Sequence, residues 1–99
     1  MSQKTMRNNG YNLRKAIMEA KGVTKDDCLR APIYQLLNAL SVKDTGKFID
    51  IVIRLYSSTK LLMPDGFVDM LCGQEVFQEL GSAFVLGLKG SYWNNKSGD

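Results

Sequence analysis

The sequence predicts an all-α domain, a small helical bundle of four main helices and one short one. Three observations predict it. Apolar residues recur at three- and four-residue spacings in four separate segments. Each segment is closed within a few positions by glycine or polar residues, so the connections are short. The β-branched run Ile49-Asp-Ile-Val-Ile53 has no second run of comparable length with which to pair as a strand.

Residues 1–8 are polar and aperiodic, which predicts a flexible N-terminal arm. A first helix is expected over 9–21: Leu13, Ile17 and Ala20 fall at i, i+4 and i+7 with Ala16 beside them, and Gly22 follows as a C-terminal stop. Thr24-Lys-Asp-Asp27 fits a capping box with aspartate in place of glutamate, so a second helix is expected from about residue 26, broken or kinked near Ala31 by Pro32. Its body is Ile33, Leu36, Leu37 and Leu40, and 41–46 closes it. Asp44 or Thr45 caps a third helix, 46–57, apolar on most sides through Phe48, Ile49, Val52, Leu55 and Tyr56 with Ile51 and Ile53; it is expected at the centre of the bundle. A short helix over 65–71 turns Phe67, Met70 and Leu71 inward. The last helix, 74–88, shares Val76, Phe77, Leu80, Phe84 and Leu88 on one face, where Gly81 and Ala83 allow close approach of a neighbour. One domain spans 9–90, followed by a polar tail, 91–99.

Composition excludes more than it names. The 99 residues contain no histidine, which removes Ser-His-Asp and Cys-His catalysis and histidine-ligated zinc. No phosphate-cradling Gly-x-x-x-x-Gly-Lys loop occurs, and a chain this short has little room for a buried cofactor. The close carboxylate pairs Asp26-Asp27 and Asp65/Asp69 lack a third ligand, and Asp26, Asp27 and Asp65 read as helix-start acids. The expectation is a protein that is not an enzyme and takes no cofactor or metal. Cys28 and Cys72 belong to no Cys-x-x-Cys pair, and the chain opens without a basic-then-apolar segment, so a reduced, cytoplasmic protein is expected. The apolar run 48–56 is interrupted by Asp50 and Arg54 and is too short to span a membrane.

The net charge of +3 conceals an asymmetry. Residues 1–30 carry +4, residues 31–60 carry +2, and residues 61–99 carry −3. A basic front two-thirds suits a polyanion on one side, with phosphate neutralisation as the source of affinity. Arg14, Lys15, Lys21 and Lys25 on or beside the first helix supply the charge, and Lys43, Lys47 and Lys60 near the ends of the third extend it. Arg54 is expected to pair with Asp50 at i−4 rather than to meet phosphate. Tyr92 and Trp93 lie outside the apolar periodicity and read first as a tail folding over the core, second as base-stacking groups. The segment 23–42 lacks the short glycine-containing turn of a helix-turn-helix.

Several strings together carry a family likeness: Asn9-Gly-Tyr-Asn-Leu-Arg-Lys15, Ile33-Tyr-Gln-Leu-Leu-Asn-Ala-Leu40, Lys47-Phe-Ile-Asp-Ile-Val-Ile-Arg-Leu-Tyr56, Met63-Pro-Asp-Gly-Phe67 and Phe77-Gln-Glu-Leu-Gly-Ser-Ala-Phe-Val-Leu-Gly-Leu88. In order and spacing they resemble the C-terminal helical region of the large subunit of type I-B CRISPR Cascade complexes, a region also made separately by internal translation as the small subunit. The resemblance implies a non-catalytic helical bundle that packs on the backbone and large subunits and on further copies of itself, within the complex that carries the guide RNA. It also implies support of target DNA during R-loop formation, with Arg14, Lys15, Lys21, Lys25, Lys47 and Lys60 as candidate phosphate contacts. Two other readings stay open from the residues: a small helical DNA-binding regulator, and a protein-only adaptor.

Overall fold

A computed structural model describes residues 2–90, and these are helical with no strand among them. The elements run α1 (Gln3–Lys21), a 3-10 turn (Asp27–Leu29), α2 (Arg30–Ser41), α3 (Thr45–Ser57), α4 (Phe67–Leu71) and α5 (Gln74–Leu88). The expected all-α bundle is the observed architecture.

The N-terminal arm expected over 1–8 is corrected. Helix α1 starts at Gln3, with the Ser2 side chain as N-cap accepting from Thr5 N at 3.1 Å. Its buried stripe is Met6, Gly10, Leu13 and Ile17, spaced i, i+4, i+7 and i+11. The period was hidden because its second member is a glycine, which has no apolar side chain to count. Gly22, at φ 65°, ends the helix in the left-handed conformation, and its N–H reaches back to Glu19 O.

The capping box expected at Thr24 does not form, and Asp26 makes no side-chain cap bond to the 3-10 turn. The break expected near Pro32 is the junction between that turn and α2, which begins at Arg30. Pro32 therefore sits in the first turn of α2, where its missing N–H has no intrahelical acceptor to lose. Helix α3 starts one residue earlier than expected and is capped by Asp44, whose Oδ1 accepts from Lys47 N at 3.0 Å. Asp44→Ala is expected to cost about 1 kcal/mol, read as a lower midpoint in urea unfolding. The short α4 begins at Phe67 rather than at 65, because Asp65 and Gly66 form a turn with Gly66 at φ 78°.

The centre of the bundle is α5 rather than α3. Ile53 is 43% exposed, and Asp50 and Arg54 lie on the same outer side of α3, joined by the expected ion pair at 3.0 Å. Helix α5 instead packs against α1, α2 and α4, and through its aromatics against α3. Phe84 is fully buried and makes edge contacts with Phe48 of α3, at a centroid distance of 6.3 Å, and Phe67 of α4, at 5.2 Å. Phe77 meets Phe48 at 5.4 Å with the rings perpendicular. Gln78 Nε2 donates to Leu40 O at 2.6 Å and ties α5 to the end of α2.

The most extensive packing joins α1 and α5, which run in the same direction: Gln3 meets Glu79, Arg7 lies against Gly87, and Arg14 reaches Leu88. The two backbones touch at Gly10 and Gly87. A methyl at Gly10 would fall 2.9 Å from Leu88 N and closer still to the Phe84 carbonyl; one at Gly87 would fall 2.8 Å from Tyr11 N and closer to the Arg7 carbonyl. Close approach was expected at Gly81 and Ala83. Gly81 faces side chains, Leu40 and Phe48, and the backbone-to-backbone contact lies six residues further on at Gly87.

Candidate nucleic-acid interface

The 3.6-residue period places Lys4, Arg7, Tyr11, Arg14, Lys15, Met18 and Lys21 on one side of α1, next to the stripe that packs on α5. Lys15 and Lys21 are exposed, and Lys15 Nζ lies 5.7 Å from the Tyr11 ring centroid, so the ring fixes the ammonium on this side. Lys25, also exposed, sits in the segment that leaves α1 and returns as the 3-10 turn. The structure thus brings together Arg14, Lys15, Lys21 and Lys25.

It does not bring Lys47 and Lys60 to that group. They flank α3, one in its first turn and one beyond its last, about 20 Å apart along a helix of 13 residues. Lys60 lines a shallow depression with Ala16, Glu19 and Ala20 on the opposite flank of α1, and Lys47 lies near Lys43 at the far end of α3.

Arg14 differs from its neighbours in being committed internally. Its Nη1 donates to Asp26 Oδ2 at 3.0 Å and to the Leu88 carbonyl at 3.4 Å, and its side chain is only 20% exposed. The guanidinium satisfies an end-of-helix carbonyl of α5 and holds the α1–α2 connection against the bundle. Arg14→Met is expected to lower stability by about 1–2 kcal/mol, seen in thermal unfolding, and to change nucleic-acid affinity far less than Lys15→Met.

Two cations that composition along the chain did not single out join the basic side. Arg30 opens α2, paired with Asp27 at 3.4 Å between two largely exposed side chains, an arrangement of little energetic weight. Lys89 follows α5 and shares a depression with Asp26, Arg30, Ile33 and Tyr34. It belongs to the acidic back third of the sequence, but the end of α5 lies against Arg14 of α1 and beside the start of α2. No local pattern signals that placement.

Among the described residues no group of three or more histidine, cysteine, aspartate or glutamate side chains is placed to hold a metal ion. Burial pushes the Tyr56 hydroxyl up to about 12, which leaves it neutral inside the core. Cys28 and Cys72 are unpaired. No helix among the described residues is long and apolar enough to cross a membrane. Tyr92 and Trp93 lie outside the described residues. No family model, curated protein or solved structure matches the chain.

Proposed function

We propose that the chain is a non-catalytic small subunit of a type I CRISPR RNA-guided surveillance complex, which holds target DNA by its phosphates and packs on neighbouring subunits. The observation that carries this reading is the basic side of α1, continued by Lys25, Arg30 and Lys89 while the acidic residues Glu75 and Glu79 occupy the outer side of α5 nearer its start. A face of exposed lysines suits contact with a phosphate backbone. The sequence strings quoted above supply the family part of the proposal. Protein neighbours are served by apolar side chains left in the open, of which Leu62 at 84% exposure and Val42 at 62% are the most prominent.

The test is a salt titration of binding to single-stranded and duplex DNA, followed by reconstitution with the backbone and large subunits. A chain making four to six phosphate contacts gives a log–log salt slope of roughly −3 to −4 on single strands. It should also raise R-loop yield in the assembled complex. A protein that binds neither form of DNA and leaves R-loop yield unchanged is an adaptor or has another role. Tight binding to one duplex sequence by the isolated chain would favour the regulator.

A further inference from the structure

We infer that Tyr34 is a stacking platform for one unpaired nucleobase, with Arg30 and Lys89 placed to hold the phosphates beside it. The inference rests on the nucleic-acid reading above and narrows it to single strands. Tyr34 lies on the outer side of α2 and is 78% exposed, the most exposed aromatic side chain among the described residues. It takes part in none of the ring-to-ring contacts that build the core, all of which are made by Phe48, Tyr56, Phe67, Phe77 and Phe84. The ring instead borders an open depression together with Ile33, Arg30, Asp26 and Lys89.

The chemistry of that depression is specific in kind. An exposed aromatic plane offers a base a face to stack on, and a cation on α2 and another at the end of α5 stand beside it to meet the backbone that enters and leaves. The local acids do not oppose this. Asp26 is neutralised by Arg14, and Asp27 is held by Arg30 in a pair exposed enough to exchange for phosphate. A duplex keeps its bases stacked inside and presents only phosphates to this face, so Tyr34 distinguishes the two forms while the lysines of α1 do not. An apolar protein surface is the competing occupant, and it would leave nucleic-acid affinity indifferent to the ring.

The experiment compares wild type with Tyr34→Ala, Tyr34→Phe and Lys15→Glu/Lys21→Glu, using a fluorescent oligothymidine strand and a duplex of equal length at one salt concentration. Tyr34 buries little, so circular dichroism should report folded variants. Tyr34→Ala is expected to weaken single-strand binding about 10-fold and duplex binding less than 2-fold, with Tyr34→Phe close to wild type. Single-strand affinity that falls on charge reversal but not in Tyr34→Ala overturns the stacking site and leaves the basic face standing. Equal losses on both DNA forms in Tyr34→Ala also overturn it, and failure of wild type to bind either form overturns both readings.

Discussion

Gly87→Ala is expected to lower the unfolding temperature by at least about 8 °C, an effect that only Gly10→Ala should match among one-methyl changes at the described glycines. The reason is that the added carbon meets backbone. At most core positions an extra methyl displaces a side chain that can change rotamer, and the cost stays within roughly 1–3 kcal/mol. At Gly87 the obstacles are the Arg7 carbonyl and the Tyr11 amide of α1, which move only if the whole helix moves. Separating α1 from α5 would in turn loosen Met6, Leu13 and Leu88, all fully buried. Alanine returns at most about 1 kcal/mol of helix propensity, so the net loss is at or above about 2 kcal/mol, and 4–8 °C per kcal/mol applies to a domain of this size. Gly10→Ala should behave alike, its methyl meeting Phe84 and Leu88 backbone atoms. The double variant should cost less than the two single losses added, because one displacement of α1 relieves both clashes. Gly46→Ala is the control: its methyl would meet only Asp44 Oδ1, at 3.8 Å, and stability should hold or rise slightly. Thermal denaturation followed by far-UV circular dichroism reads all four. An unperturbed midpoint for Gly87→Ala would remove the close helix contact as the organising feature of the fold.

Lys15→Glu/Lys21→Glu is expected to reduce affinity for single-stranded DNA about 25-fold at 0.1 M salt. Each phosphate contact contributes about 0.7 to the log–log salt slope on single strands, so losing two flattens it by about 1.4; curves converging near 1 M salt then differ by that many decades at 0.1 M. Repulsion from the introduced carboxylates adds to the loss. Both side chains are exposed and neither takes part in an ion pair among the described residues, so folding should be unaffected. Lys47→Glu/Lys60→Glu is the informative comparison. These two also carry exposed ammonium groups but sit at opposite ends of α3, apart from the α1 group, and their reversal should cost less than about 3-fold. Equal losses in the two double variants would mean that binding follows net charge rather than a defined face. Fluorescence anisotropy across a salt series makes the distinction.

Helix existence was legible wherever the apolar period was carried by side chains. The last helix was bounded correctly at 74–88, because Phe77, Leu80, Phe84 and Leu88 mark one face without interruption. The first was cut short at residue 9 because its buried stripe passes through Gly10 to Met6, and a glycine in a stripe looks like a gap. The Asp50–Arg54 pair followed from i,i+4 spacing alone, whereas the Arg14–Asp26 pair, twelve residues apart across a turn, did not. The basic residues of α1 were found from charge segregation. Arg30, Lys89 and Tyr34 were not, since their proximity depends on how the start of α2 meets the end of α5.

By itself the amino-acid sequence determined the helical class, most element positions, the lack of histidine chemistry and the basic bias of the first two-thirds. These are local or additive properties, set by period, composition and charge. Tertiary structure alone decided which helix is central, which lysines share a face and what the glycines are for. α3 was expected at the centre, yet α5, the more apolar of the two on average, occupies it: Gly87 and Gly10 let α1 lie directly on its backbone while the Phe84 ring packs on Phe48 and Phe67. That choice is a matter of distance between two segments more than seventy residues apart, and no local pattern encodes it.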